Sequence, residues 1–216
     1  MKRISIAILI FLIPFCLEAQ DDMQDFETWY RFRLTKKVGD IKLHVKPGIR
    51  LFENSLVVKA ILSDFGASYK VHKYFELTAN YRYSRVNKYD VPFYSSQRLN
   101  LDLDSDLDVN TVNFSLRNRS QMDLDYRGWE FANRTKLSIK HDIGEGLAFF
   151  ASTEGWLAFD GILGFSKYRF TFGLQADLAK RNRMAIYYRR QVLRGERVPT
   201  SSNIIGISYK LKLKSS

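Results

Sequence analysis

The side chains of this chain that could do chemistry are mainly cations on every second residue. Arg31, Arg33, Lys42, Lys46, Arg50, Arg82, Arg98, Arg117, Arg119, Arg134, Lys136, Lys140, Lys167, Arg169, Arg189, Lys210 and Lys212 all fall on the polar parity of alternating segments. Fewer acids share that parity: Asp64, Glu76, Asp102, Asp104, Glu154 and Asp177. A guanidinium offers a fork of N–H donors that suits carboxylate and phosphate, and rings of Arg or Lys bias a pore toward anions. The other reading is that the charges pair with one another across a narrow interior, because an unpaired buried charge is costly. Arg134 with Glu154 and Arg82 with Asp64 would then be plugs. The charged positions expected to face an interior are Arg82, Asp102, Arg117, Arg134, Glu154, Arg169 and Arg189, and pore and plug both stay open for them.

Other chemistry finds less footing. His44 is on a polar strand face, His72 in a short turn and His141 at a strand end, with no spacing that suggests a metal site. The one cysteine, Cys16, excludes a disulfide framework and a cysteine zinc cluster. No cofactor and no catalytic residue is assigned. Serines and acids are plentiful, which leaves room for a membrane-embedded lipid-modifying hydrolase. Such an enzyme needs nucleophile, base and orienting group within hydrogen-bond reach; only His44 is placed for base work, and nothing marks its serine. The formal charge of +11 raises nucleic acid as a partner, but it is spread over strand positions and not gathered in one arm or helix.

The elements that must position these side chains repeat with period two. Tyr30, Phe32 and Leu34 alternate with Arg31 and Arg33; Phe75, Leu77, Ala79, Tyr81 and Tyr83 alternate with Glu76, Thr78, Asn80 and Arg82; Tyr168, Phe170, Phe172 and Leu174 alternate with Arg169 and Thr171. Similar segments recur over 41–50, 97–104, 111–121, 131–141 and 203–213, with noisier ones at 57–70, 147–157 and 184–192. Strict alternation of this kind marks strands with one apolar face, so the chain is all-β. Short turns are expected at 38–40, 71–73, 107–108, 142–146 and 180–183, and longer connections near 52–56, 87–95, 122–129, 158–165 and 194–202. That is an up-and-down meander of hairpins with one plain and one decorated end. Register arithmetic across three turns sets Arg134 opposite Glu154, Leu101 opposite Phe114 and Phe172 opposite Arg190.

Composition narrows the setting. With 16 Phe, 12 Tyr and 3 Trp against 12 Gly and 4 Pro, the chain is too apolar for disorder and lacks the make-up of a fibrous protein. Residues 1–19 read as a signal peptide: Lys2 and Arg3, an apolar run from Ile4 to Phe15, and cleavage after Ala19. The rest, 20–216, then keeps 32 basic and 22 acidic residues and no cysteine, with no break that would divide it. Aliphatic centres with aromatic ends, as over 75–83, suit a lipid-facing strand with girdles, and strands of about 9–11 residues suit a tilted crossing. The expectation is an exported, up-and-down antiparallel transmembrane β-barrel of 10–12 strands in a bacterial outer membrane. Its partners would be outer-membrane lipids and lipopolysaccharide, and a small anionic solute. A soluble, secreted lipocalin-like carrier, with the apolar face turned inward, is the alternative fold. Eleven segments are counted where bacterial barrels use even numbers, so 28–35 needs either an unrecognised partner strand or a place inside the barrel. The aromatic loop tips Tyr89, Phe93, Tyr94, Tyr126 and Trp129 are read as girdle residues.

Several of these pieces, in order, resemble the outer-membrane-barrel-like family catalogued as domain of unknown function 2490. They are Trp29; Phe65-Gly66 with Tyr69-Lys70; Tyr81-Arg82-Tyr83; Arg134 with Lys136-Leu137-Ser138; Glu154; Arg169 to Leu174; Tyr187-Tyr188-Arg189 with Gln191; and Gly206 with Ser208-Tyr209. The resemblance implies an outer-membrane barrel of Bacteroidetes-like bacteria and brings no activity with it.

Overall fold

Because successive side chains of a strand point to opposite faces, the alternating segments can bury their polar parity only by curling that face inward. The computed structural model has that arrangement. It describes residues 24–88, 91–159, 164–193 and 201–214; the expected signal peptide, 1–19, and Tyr89 lie outside them. Eleven strands follow in order: β1 (Gln24–Val38), β2 (Ile41–Phe52), β3 (Val57–His72), β4 (Phe75–Lys88), β5 (Val91–Val109), β6 (Val112–Asp125), β7 (Gly128–Gly144), β8 (Leu147–Ala158), β9 (Gly164–Ala179), β10 (Asn182–Leu193) and β11 (Ser201–Lys212). Each pairs antiparallel with the next, and β1 closes the barrel by pairing with β11 in parallel, from Gln24↔Ser201 to Thr35↔Lys212. The 28–35 segment is thus neither inside the barrel nor in need of a twelfth strand, and the antiparallel expectation holds at every pair except the closing one. The parallel seam puts Gln24 and Lys212 at opposite rims.

The strands run to between 12 and 19 residues, longer than the expected 9–11. They extend into segments read as loops: β6 and β7 are joined by Tyr126-Arg127 alone, where a longer 122–129 connection was expected. The β5–β6 turn falls at Asn110-Thr111, not at 107–108, with Asn110 at φ 55°, a left-handed conformation that Asn tolerates in tight turns. Leu101 therefore faces Ser120, not Phe114. Phe172 faces Tyr188, not Arg190, with ring centroids 5.2 Å apart. Arg134 faces Trp156, and Glu154 faces Lys136. Asp64 lies directly opposite Arg82, not diagonally.

The outward parity is apolar and exposed. Leu99, Leu101 and Leu103 on β5, Leu116 on β6, Leu137 on β7 and Leu174 on β9 form its middle. Tyr30, Tyr83, Phe93, Trp129 and Phe165 sit toward one rim, and Tyr69, Phe75, Phe114 and Phe149 toward the other. A continuous apolar exterior on this scale is not left to water by ordinary globular proteins. Its polar interruption on β6 and β7 satisfies itself, Asn118 and Asn133 exchanging two hydrogen bonds of 3.0 Å.

Candidate functional site

Inside the wall lies a cavity of about 1450 Å³. Among the described residues, twenty basic and nine acidic side chains line it. Strand register explains how so many charges coexist. Arg82 and Arg98 are direct cross-strand partners, a repulsive placement. Each turns to a carboxylate on its other neighbour: Arg82 donates Nε and Nη2 to Asp64, and Arg98 does the same to Asp123. Arg119 and Arg134 repeat the pattern one layer along. Arg119 donates to both oxygens of Asp102 at 2.6 Å, and Arg134 Nη2 donates to both oxygens of Glu154 at 2.6 Å. The two-nitrogen forks of Arg82, Arg98 and Arg119 are the bidentate geometry that lets buried pairs recover their desolvation cost, whereas Arg134 reaches both oxygens from one nitrogen.

All seven expected interior residues line this cavity. The structure gathers them into two groups. Glu154, only 3% exposed, serves Arg134, Arg169 at 3.7 Å and Lys136 at 4.0 Å. Asp102, 2% exposed, serves Arg119 and stands 3.9 Å from Arg117, which donates to Asp104 at 2.6 Å. Arg82 stays apart with Asp64, and Arg189 donates to Thr171 at 2.8 Å. Two expected inward residues, Asp177 and Lys212, line instead a separate cleft of about 350 Å³ at the two-residue-turn rim.

Sequence reasoning missed the interior aromatics. Trp29 shares the parity of Arg31, and Trp156 that of Glu154; both rings are buried and stack with cations. Arg50 lies 4.0 Å from the Trp29 centroid, and Arg169 and Arg189 each lie 5.1 Å from it. Arg134 and Arg169 lie 4.4 and 4.6 Å from the Trp156 centroid. Parity alone would have placed both rings, but the expectation of aromatics on the outside hid them. Glu27, fully buried, was missed too; it accepts from Trp29 Nε1 and Lys59 Nζ, both at 2.7 Å. Of the aromatic tips, Phe93 and Trp129 face outward as girdle residues would, but Tyr94 packs edge-on to Tyr126 at 4.8 Å, and both line the cavity.

His44 is buried on β2, where its Nε2 meets Asn80 Oδ1 at 2.7 Å across Gly66 of the intervening strand. An amide thus occupies Nε2, while Nδ1 is buried with no hydrogen-bond partner among the described residues. A Cβ at Gly66 would collide with both His44 Nε2 and Asn80 Oδ1. Gly66→Ala is therefore expected to cost about 1–3 kcal/mol through overpacking, measurable as a lower midpoint of denaturant unfolding.

A closed barrel with an apolar exterior and an interior of paired and unpaired cations defines the class: a small β-barrel with a charge-lined cavity. The chain belongs to the family described as protein of unknown function (DUF2490), whose family model matches residues 26–198. No curated protein and no solved structure matches it.

Proposed function

We propose that this protein is an outer-membrane β-barrel whose interior admits small anionic solutes, by binding or passage and without covalent chemistry. The observation that carries the membrane assignment is the sidedness of the wall: leucines in the middle of the outer face, aromatic residues toward both rims, and charges inside. Outer-membrane lipids and lipopolysaccharide would cover the apolar band, and the aromatic rims suit headgroup level. The excess of cations over acids along the cavity favours anions within it. The His44–Asn80 contact supports the non-enzymatic reading over a lipid hydrolase, since among the described residues the one candidate base hydrogen-bonds an amide and no serine hydroxyl.

Two measurements test this reading. Fractionation of expressing cells should put the chain in the outer membrane, extractable only with detergent and migrating faster unboiled than boiled on a denaturing gel; recovery in the soluble fraction would sink it. In planar bilayers, the purified protein should conduct anions in preference to potassium. Cation selectivity, or silence together with no anion binding in detergent, would overturn the anion assignment.

A further inference from the structure

The belt of arginines inside the barrel is compensated on one side only. From β3 to β8 each guanidinium of the belt has its own carboxylate: Arg82 with Asp64, Arg98 with Asp123, Arg119 with Asp102, Arg134 with Glu154. Around the parallel seam this order stops. Among the described residues, Arg31, Arg50 and Arg189 have no carboxylate within 4.0 Å, although all three line the cavity. Arg169 donates Nε to Gln191 Oε1 at 2.7 Å, and the one carboxylate it reaches is Glu154, at 3.7 Å, both of whose oxygens Arg134 already holds. The acids on this side are committed elsewhere. Glu27 gives one oxygen to Lys59 and the other to Trp29, while Asp25 accepts the backbone N–H groups of Glu53 and Asn54.

These cations are also focused. Arg50, Arg169 and Arg189 converge on the Trp29 ring, at 4.0, 5.1 and 5.1 Å from its centroid. Stacking on an aromatic face occupies the flat of a guanidinium and leaves its in-plane N–H donors for another acceptor. Arg50 and Arg169 also repel each other, with Arg31 adding its charge to Arg50. Like charges assembled in this way, buried or half-buried with only one shared carboxylate among the described residues within 4.0 Å of any of them, call for a mobile counter-charge. Gly206, the direct partner of Trp29 across the seam, leaves room for the Tyr187 ring, which lies where a Cβ of residue 206 would be.

We propose that the seam side of the cavity is a binding site for a small solute bearing a phosphate group, gripped by Arg50, Arg169 and Arg189 around Trp29, with Arg31 adding charge. Phosphate fits because it carries more than one charge and offers several acceptor oxygens to forked donors. A monovalent halide would use only one donor direction at a time. The inference rests on the reading that anions enter the barrel, and it names which anions and where.

Pyrophosphate is the probe. It is titrated into the detergent-solubilised full barrel at fixed ionic strength, with calorimetry and tryptophan fluorescence as readouts. Saturable binding is expected, with chloride competing weakly. Arg50→Gln and Arg189→Gln should each weaken it about ten-fold or more, the loss of one charge-assisted hydrogen bond. Lys73→Gln, which removes the same charge from a turn outside the cavity, should leave affinity unchanged. Each variant is first checked for the compact unboiled band, so that loss of fold is not mistaken for loss of site. No saturable binding by the wild type, or wild-type affinity in compact Arg50→Gln and Arg189→Gln, would overturn the proposal. Anion-selective conductance without pyrophosphate binding would leave the broader reading standing and remove this site alone. Binding without conductance would keep the site and remove passage.

Discussion

Replacing Glu154 by glutamine is expected to cost about 3–5 kcal/mol, the usual penalty for removing one partner of a buried pair, and to make the barrel more anion-selective. The physical reason is that one carboxylate serves three cations. Arg134 donates to both its oxygens at 2.6 Å, Arg169 stands at 3.7 Å and Lys136 at 4.0 Å, and the group is 3% exposed. Glutamine keeps the shape but removes the charge, so all three cations lose their common partner at once. The reciprocal change, Arg134→Gln, should cost less, because Glu154 would retain Arg169 and Lys136. Charges that share a partner do not add, and the double variant should be less damaged than the two single losses summed. The measurements are denaturant unfolding followed by gel mobility, and reversal potentials in asymmetric salt. Unchanged stability with unchanged selectivity would show that Glu154 is not the shared counter-charge.

The second large effect is expected at the seam. Glu27→Gln leaves Lys59 without its anion and weakens the acceptor for Trp29 Nε1, at a position with no exposure to solvent. A loss of about 3 kcal/mol follows from the same penalty for a broken buried pair. This change should act locally, because Glu27 sits opposite Ile204 in the only parallel pair among the described strands. Amide hydrogen exchange should accelerate in 24–38 and 201–212 before it does so in β4 to β7. As a contrast, Asp142→Asn breaks an ion pair to Lys140 at 3.1 Å in which the aspartate side chain is 55% exposed. That variant should lose under about 1 kcal/mol, in the range of surface pairs. Uniform acceleration of exchange around the barrel would contradict a local role for Glu27.

The sequence carried parity well and register poorly, and the reason is geometric. Slipping a strand by one residue turns its charges to the outside, but slipping by two leaves every face intact. The two-residue offsets at Arg134, which faces Trp156, and at Phe172, which faces Tyr188, are therefore invisible to alternation. The larger error at β5 has another origin. Leu107-Asp108 looks like turn composition, yet it lies within a 19-residue strand whose inward parity runs on from Asp104, held by Arg117, to Asp106, which lines the cavity. The charged interior could be read because Arg82, Arg134 and Glu154 lie on polar parity. Its tryptophans were lost to a rule about aromatic girdles that Trp29 and Trp156 do not follow. Nor could the uneven compensation of the arginines be seen, since it depends on which strands become neighbours across the seam, and the β1–β11 pairing is the most distant in sequence.

An odd number of strands also has a consequence for delivery. In a barrel with an even count, the chain leaves by the rim at which it entered, and a polypeptide arriving from one compartment keeps both ends there. Here Gln24 stands at one rim and Lys212 at the other. Within a bilayer, one end of the wall must therefore be carried across the hydrocarbon layer while the sheet is still open. At its own rim β1 is fastened by Asp25, which accepts the backbone N–H groups of Glu53 and Asn54. On the outer-membrane reading, a protease-cleavable tag ahead of β1 and one after β11 should therefore be cut from opposite sides of the membrane.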